Sequence, residues 1–115
     1  MCFHTTLPPD FNERIDRAID LNVMGPVRML ELAKQCPKLI AFLHTSTCYV
    51  NANQPQGYIE EKVHPLSFDP QEVIDKVRRM NVDEMAKITD TGLLRDWPNT
   101  YTFTKAIAEH LIGAV

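Results

Sequence analysis

A short apolar run, Leu39–Leu43 (LIAFL), is the feature that most constrains the fold of this 115-residue chain. Its length and the nearby Pro37 favour a strand that is buried on both faces, as in a parallel sheet. Residues 1–5 resemble the end of a second buried strand. Sequence with helical periodicity lies on both sides of the run, and this order of elements is typical of an α/β domain.

The first stretch with helical spacing of apolar residues covers residues 11–36. Asp10 is a candidate N-cap, and Glu13 follows three residues later, as in a capping box. Gly25 and Pro26 interrupt the stretch, because proline cannot donate its backbone hydrogen bond and disrupts the preceding turn. We therefore expect a kink or two abutting helices at this point.

Two further helices are predicted, one over residues 71–89 and one from Asn99 or Thr100 to about Ile112. One strand and part of another are too few for a complete sheet. The sequence therefore predicts a piece of a larger domain rather than a whole one.

Composition excludes several classes of protein. The formal net charge is −3 with acidic and basic residues interspersed, which argues against nucleic-acid binding. No apolar run reaches the roughly 20 residues that cross a bilayer. The three cysteines are odd in number and far apart, and the four histidines are scattered, so neither a disulfide framework nor a metal site is expected.

Tyr101 and Lys105 are four residues apart on the final predicted helix, so their side chains share a face. An unassisted tyrosine is a poor acid or base near neutral pH, whereas a nearby ammonium group favours its phenolate form. Such a tyrosine can donate a proton to a carbonyl oxygen while a nicotinamide delivers hydride. A helical wheel places Glu109 on the solvated side of the same helix, and an exposed Lys105–Glu109 pair is the alternative role for Lys105, although Lys before Glu is the poorer orientation for such a pair.

A second YxxxK match occurs at Tyr58 and Lys62. His64 and Pro65 follow almost at once, which leaves no helix to hold the pair. The acidic residues between Tyr58 and Lys62 would also oppose a phenolate. These features favour Tyr101 and Lys105 over the first pair, although chance co-occurrence remains the simpler explanation for either.

Ser46 and Thr47 follow the predicted strand at its carboxyl end, where ligands bind in open α/β sheets. A hydroxyl there could bond a carbonyl oxygen, or it could belong to an ordinary strand-terminal turn. Cys48 is a weaker candidate, because a cysteine nucleophile needs a histidine base within reach and His44 is expected some distance away.

Asn22 lies in the middle of the first helical stretch among apolar residues, where asparagine is not a preferred residue. Its simplest role is in packing or backbone hydrogen bonding. Its functional alternative is to hold a water molecule or a backbone carbonyl near Lys105.

Three segments together resemble the extended short-chain dehydrogenase/reductases, and within them the fatty acyl-CoA reductases. They read FNERIDRAIDLNVMGPVRMLELAKQCPKLIAFLHTSTCYVN, GYIEEKVHP and WPNTYTFTKAIAEHLI. The resemblance implies that residues 1–115 are the central to C-terminal part of an NAD(P)-binding reductase domain. It also implies a partial Rossmann-like fold, a doubly wound parallel sheet that lacks its N-terminal strands.

The resemblance implies that Tyr101 is the proton donor and that Lys105 is its partner, with Thr47 or Ser46 as the supporting hydroxyl. Tyr101, Lys105 and Asn22 would also contact the cofactor. The implied reaction is NADPH-dependent reduction of a long-chain acyl-CoA, through an aldehyde, to a fatty alcohol. The alternatives are another extended reductase that acts on a nucleotide-sugar or a sterol, and an inactive truncated chain.

The family's glycine-rich TGATGF-type loop, which binds the cofactor pyrophosphate, has no counterpart among the four glycines of this chain. The segment HTTLPPDF also departs from the family's pattern. We therefore expect the isolated chain to bind NADPH weakly and to be inactive, with marginal stability or self-association through an exposed sheet edge. The resemblance further implies a location on the cytoplasmic side, with endoplasmic reticulum or peroxisome association.

Overall fold

The computed structural model describes residues 10–114, which form helices joined by irregular segments. Five α-helices are α1 (Ile15–Ile19), α2 (Gly25–Lys34), α3 (Pro70–Arg79), α4 (Val82–Ala86) and α5 (Thr100–Gly113). A π-helix (Asp20–Met24) joins α1 to α2, and 3-10 helices cover Cys48–Asn51 and Ile88–Thr91. No residue between 10 and 114 lies in a β-strand.

The predicted strand at residues 39–43 is therefore wrong, and with it the predicted partial Rossmann-like, doubly wound parallel sheet of an α/β domain. The segment has no regular structure, and Ile40 and Leu43 are 101 % and 81 % exposed. An apolar run shows which side chains could be buried, but a strand also needs a neighbour to accept its backbone hydrogen bonds. Residues 10–114 supply no such neighbour. The strand expected at residues 1–5 lies outside the described residues.

The interruption predicted at Gly25 and Pro26 is confirmed, and it takes the form of the π-helix between α1 and α2. Pro26 has no backbone N–H, and its ring would clash with the carbonyl of Asn22 one turn earlier in a regular α-helix. The wider π turn relieves that clash while the chain stays helical on both sides.

The capping box predicted at Asp10 and Glu13 is wrong, because the first helix begins only at Ile15. The Asp10 carboxylate accepts the backbone N–H of Asn12 at 3.0 Å and closes a local turn instead. Aspartate favours such turns as strongly as it favours helix caps, and the sequence pattern does not separate the two.

The helix predicted over residues 71–89 is divided into α3, α4 and a 3-10 helix. Asn81 ends the continuity, because its side chain accepts the backbone N–H of Glu84 while the Glu84 carboxylate accepts the backbone N–H of Asn81, both at 2.9 Å. This capping box is readable in the sequence as Asn81 and Glu84 at the required spacing. The apolar periodicity that continues across it concealed the break.

The last helix, α5, begins and ends close to the predicted bounds, with the Asn99 side chain accepting the backbone N–H of Thr102 at 2.9 Å. Phe103, Ile107 and Ala108 on α5 are fully buried. They pack in one core with apolar residues of the other elements, namely Ile15, Ala18, Ile19, Val23, Val50, Val73, Ile74, Val77, Ile88, Leu93, Leu94 and Trp97. The helix contacts α1, the π-helix, α2 and the first 3-10 helix, so it is the central element of the fold.

Trp97 connects the entry to α5 with the first 3-10 helix. Its indole N–H donates to the carbonyl of Val50 at 2.8 Å, and its ring packs edge-on against Phe68 and Phe103. These contacts hold the segment that follows Thr47 against the start of α5. Within the described residues, no helix has the length and apolar character that crossing a bilayer would require.

Replacing Ile107 with alanine should lower the free energy of unfolding by about 2–5 kcal/mol, because the side chain is fully buried in the core. Ile40→Ala is the matched control: the same atoms are removed from a fully exposed site, and the change should stay within about 0.5 kcal/mol. Urea denaturation of both variants measures the difference. Equal losses would contradict the placement of α5 in the core.

Candidate active site

Tyr101 and Lys105 lie on consecutive turns of α5, as the sequence predicted, with Asn99 fixing where the helix begins. The Tyr101 ring is partly exposed and meets the ring of Phe11 edge-on, with centroids 5.1 Å apart. The backbone N–H of Tyr101 also donates to the carbonyl of Phe11 at 3.4 Å. These contacts hold Tyr101 at the surface end of a helix whose other face is buried.

Lys105 is half-buried, and its ammonium group donates to the carbonyl of Thr45 at 3.0 Å. Burial lowers the pKa of Lys105 below its ordinary 10.5, and the negative charge of Glu109 partly opposes that shift.

Ser46 donates its hydroxyl proton to the Glu109 carboxylate, with 2.6 Å between Oγ and Oε2. Glu109 is therefore partly buried against the segment before the first 3-10 helix and is not on a solvated face, as the helical wheel had placed it. The bonds from Lys105 to Thr45 and from Ser46 to Glu109 lie side by side. Together they bring the predicted hydroxyl-bearing segment onto α5 without a β-sheet.

Thr47 is the N-cap of the first 3-10 helix, and its side-chain oxygen accepts the backbone N–H of Tyr49 at 3.3 Å. Thr47 is partly exposed. In the part of the chain that the structure describes, the Tyr101 hydroxyl forms no hydrogen bond with Ser46 or Thr47. The structure thus joins Ser46 to Glu109 and places Thr45 at Lys105, whereas Tyr101 stands one turn earlier on the same helix.

Asn22 occupies the π-helix, and its amide N–H donates to the Thr104 hydroxyl at 3.0 Å. Thr104 is fully buried and donates in turn to the carbonyl of Thr100 at 2.7 Å. Asn22 therefore braces α5 through the residue that precedes Lys105, and its observed partner is a side chain rather than the backbone carbonyl that the sequence suggested.

Sequence reasoning missed Thr104 and placed Glu109 wrongly on the solvated side of α5. Glu109 carried a usable signal, since it lies one helical turn beyond Lys105 and so shares its face. Thr104 carried the weaker signal of a hydroxyl between the two candidate residues. Neither signal reveals that Ser46 and Asn22, which are distant in sequence, are the partners.

The competing pair, Tyr58 and Lys62, lies outside any helix. Tyr58 is 94 % exposed, and the Lys62 ammonium is paired with the Glu60 carboxylate at 2.6 Å. Cys48 is an exposed free thiol. Across residues 10–114, no group of three or more histidine, cysteine, aspartate or glutamate side chains could hold a metal ion.

Lys105→Met should change how stability depends on pH. Because burial lowers the pKa of Lys105 in the folded state, the unfolded chain binds more protons than the folded chain between that lowered pKa and 10.5. The stability of the original chain relative to Lys105→Met should therefore rise as the pH increases through this window. Urea denaturation at a series of alkaline pH values measures it, with Lys38→Met as the exposed control; a relative stability that falls instead would contradict the burial of Lys105.

Comparison with known proteins places the chain in a family. The model of an NAD-binding domain family described as "Male sterility protein" matches residues 2–115. Fatty acyl-CoA reductase 1 of Xenopus laevis is 40 % identical over 110 residues, fatty acyl-CoA reductase 1 of Gallus gallus 38 %, and fatty acyl-CoA reductase 2 of Homo sapiens 37 %. Each alignment covers 96 % of this chain and 21 % of the relative.

The chain thus spans about a fifth of the length of these curated relatives. No solved structure gives a significant match. The family model covers all but the first residue, and it includes both the Tyr101–Lys105 helix and the segment that Ser46 joins to it. The chain therefore belongs to the male sterility protein family of NAD-binding domains.

Proposed function

We propose that residues 1–115 form the central to C-terminal part of the reductase domain of an NADPH-dependent fatty acyl-CoA reductase. The observation that carries the proposal is the attachment of the hydroxyl-bearing segment at residues 45–47 to the helix that presents Tyr101 and Lys105. Membership of an NAD-binding family and relatives named fatty acyl-CoA reductases support the same reaction class. None of the relatives described above is named for a nucleotide-sugar or a sterol.

The substrate would be a long-chain acyl-CoA, which is reduced through an aldehyde to a fatty alcohol with release of free CoA. When bound, NADPH would supply the hydride for the carbonyl carbon in each of the two reductions. Both reductions require stabilisation of the negative charge that develops on the carbonyl oxygen. In the first, the C–S bond breaks, the oxygen becomes the aldehyde carbonyl, and CoA leaves as a thiolate that takes a proton from water. In the second, the oxygen takes a proton and becomes the alcohol hydroxyl. In our proposal Tyr101 donates that proton, and a hydroxyl of the 45–47 segment holds the oxygen in place.

The donors of Lys105 fit a role beside a nicotinamide ribose. An ammonium group has three N–H donors, and the carbonyl of Thr45 accepts one of them. Lys105 donates to no other group within residues 10–114, so the remaining two donors are available to ribose hydroxyls. Asn22 would contribute indirectly by bracing α5 through Thr104.

We further propose that the protein acts on the cytoplasmic side, with endoplasmic reticulum or peroxisome association, as the family resemblance implies. Self-association of the isolated chain is a separate proposal, supported by the exposed apolar side chains of Leu39, Ile40 and Leu43. Fluorescence microscopy of a tagged chain tests the first proposal, and sedimentation over a range of concentrations tests the second.

Tyr101→Phe should lower kcat by about 10²–10⁴-fold, because it removes the proton donor and leaves the ring in place. The assay protein is a chimera in which this chain replaces the matching segment of the Xenopus laevis reductase, and NADPH oxidation is followed with palmitoyl-CoA. Tyr58→Phe is the matched control, since it makes the same change in the exposed YxxxK match and should leave the rate unaltered. An active Tyr101→Phe enzyme would remove Tyr101 from the mechanism.

The 115-residue chain alone should bind NADPH weakly or not at all. None of its four glycines, at positions 25, 57, 92 and 113, forms the glycine-rich loop that holds a pyrophosphate at a helix N-terminus. Isothermal titration of the chain with NADPH measures the affinity, with the intact Xenopus laevis reductase as the positive control. A low-micromolar dissociation constant for the chain alone would contradict this prediction.

A further inference from the structure

We infer that Glu109 is a positioning residue that engages the Ser46 hydroxyl and thereby leaves Thr47 as the hydroxyl that meets the substrate carbonyl. The inference rests on the proposed reductase function and deepens it. It assigns different roles to two adjacent hydroxyls that the sequence could not distinguish, and it gives a role to a carboxylate that the proposed reaction does not itself use.

The Ser46 hydroxyl has a single proton, and that proton is directed to Glu109. The separation of 2.6 Å between the oxygens is typical of a charge-assisted hydrogen bond to a carboxylate, which is stronger than a bond between neutral groups. A hydroxyl that stabilises a developing oxyanion must donate its proton to that oxygen. Ser46 can do so only by breaking its bond to Glu109.

Thr47 is in the opposite situation. Its oxygen accepts the backbone N–H of Tyr49, and within residues 10–114 its own proton is donated to no partner. Because the N–H of Tyr49 occupies one lone pair of the oxygen, it restricts the orientations of the hydroxyl without using its proton. Thr47 is partly exposed. It follows directly after Thr45 and Ser46, which are both hydrogen-bonded to side chains of α5. It is therefore the hydroxyl of this segment that is available to donate.

Glu109 also affects Lys105, whose hydrogen bond to the Thr45 carbonyl is the second bond that holds the segment on α5. Its charge supports the protonated form of Lys105 against burial, which lowers the pKa of Lys105. A protonated Lys105 donates a stronger, charge-assisted hydrogen bond to the carbonyl of Thr45 than a neutral amine would. One carboxylate thus favours both bonds that hold residues 45 and 46 on α5, and through them it fixes the position of Thr47.

Kinetics in the chimeric reductase test the division of roles between the two hydroxyls. Thr47→Val should lower kcat by about 10²–10³-fold, as expected for loss of an oxyanion donor, and Thr47→Ser should restore most of the rate. Ser46→Ala should lower kcat by about tenfold, as expected for loss of a hydrogen bond to a charged group, with little change in KM. A Ser46→Ala loss as large as that of Thr47→Val would overturn the assignment.

A double-mutant cycle tests whether Ser46 and Glu109 act through one bond. Glu109→Ala should lower kcat at least as much as Ser46→Ala, because it also removes the charge that supports protonated Lys105. The double variant should be no slower than Glu109→Ala alone, because the bond that Ser46→Ala removes is already lost. Glu109→Gln retains an acceptor oxygen for Ser46 and should recover most of the Glu109→Ala loss. Losses that multiply in the double variant, or no recovery with glutamine, would overturn the inference.

Two measurements on the 115-residue chain do not depend on activity. In a titration of Lys105 followed by NMR, Glu109→Gln should move the Lys105 transition to lower pH, because a charge that raises its pKa is removed. Hydrogen exchange of the backbone amides at residues 45–47 should be faster in Glu109→Ala. Glu31→Gln and Glu31→Ala are the controls, because they change an exposed carboxylate on α2. They should change neither the Lys105 transition nor the exchange rates at residues 45–47.

Different results would count against the proposed reductase function and against the role of Glu109. An unmodified chimera that does not oxidise NADPH with palmitoyl-CoA would count against the proposed function, while the NMR titration and the exchange rates would still report on Glu109. An unchanged Lys105 transition and unchanged exchange at residues 45–47 would overturn the role of Glu109 even in an active enzyme.

Discussion

The burial of Phe103 and Ile107 fixes α5 in the core, and the candidate site depends on this constraint. Because the face of α5 that carries Phe103 and Ile107 is buried, the spacing of an α-helix places Lys105 and Glu109 at the boundary between core and solvent. Their side chains then meet a segment that is irregular and lacks a strand partner among the described residues. The bonds to Thr45 and Ser46 hold that segment in place, so the geometry of the site is set by side chains of α5 and not by a sheet.

Local patterns in the sequence predicted local structure where one strong signal was present. The Asn99 cap and the apolar stripe of α5 gave its bounds, and Pro26 predicted the break that became a π-helix. Local patterns gave wrong predictions where the same residues are compatible with two local structures. Asp10 suits a turn as well as a cap, and the apolar spacing near Asn81 continues across a capping box. The predicted strand failed for a different reason, because its formation depends on partners that its own five residues cannot specify.

In the candidate site, too, the sequence predicted the local features but not the long-range contacts. The sequence predicted a helix at Tyr101 and Lys105 and none at Tyr58, and the structure confirms both placements. The sequence could not reveal that Ser46 is hydrogen-bonded to Glu109, 63 residues later, or that Asn22 is hydrogen-bonded to Thr104, 82 residues later. Such contacts are decided by packing of distant segments, and a single sequence holds no direct record of them. They matter here because they distinguish a bonded hydroxyl from an available one.

In the proposed mechanism, Tyr101 and the 45–47 segment meet one substrate oxygen at the exposed side of α5. A crystal structure of the chimeric reductase with NADPH and a non-reducible acyl-CoA analogue would test it most directly. We expect the Tyr101 and Thr47 hydroxyls both to lie within about 3.2 Å of the carbonyl oxygen, with Ser46 still bonded to Glu109. A carbonyl oxygen bound at Tyr58, or one that meets Ser46 after it has left Glu109, would contradict it.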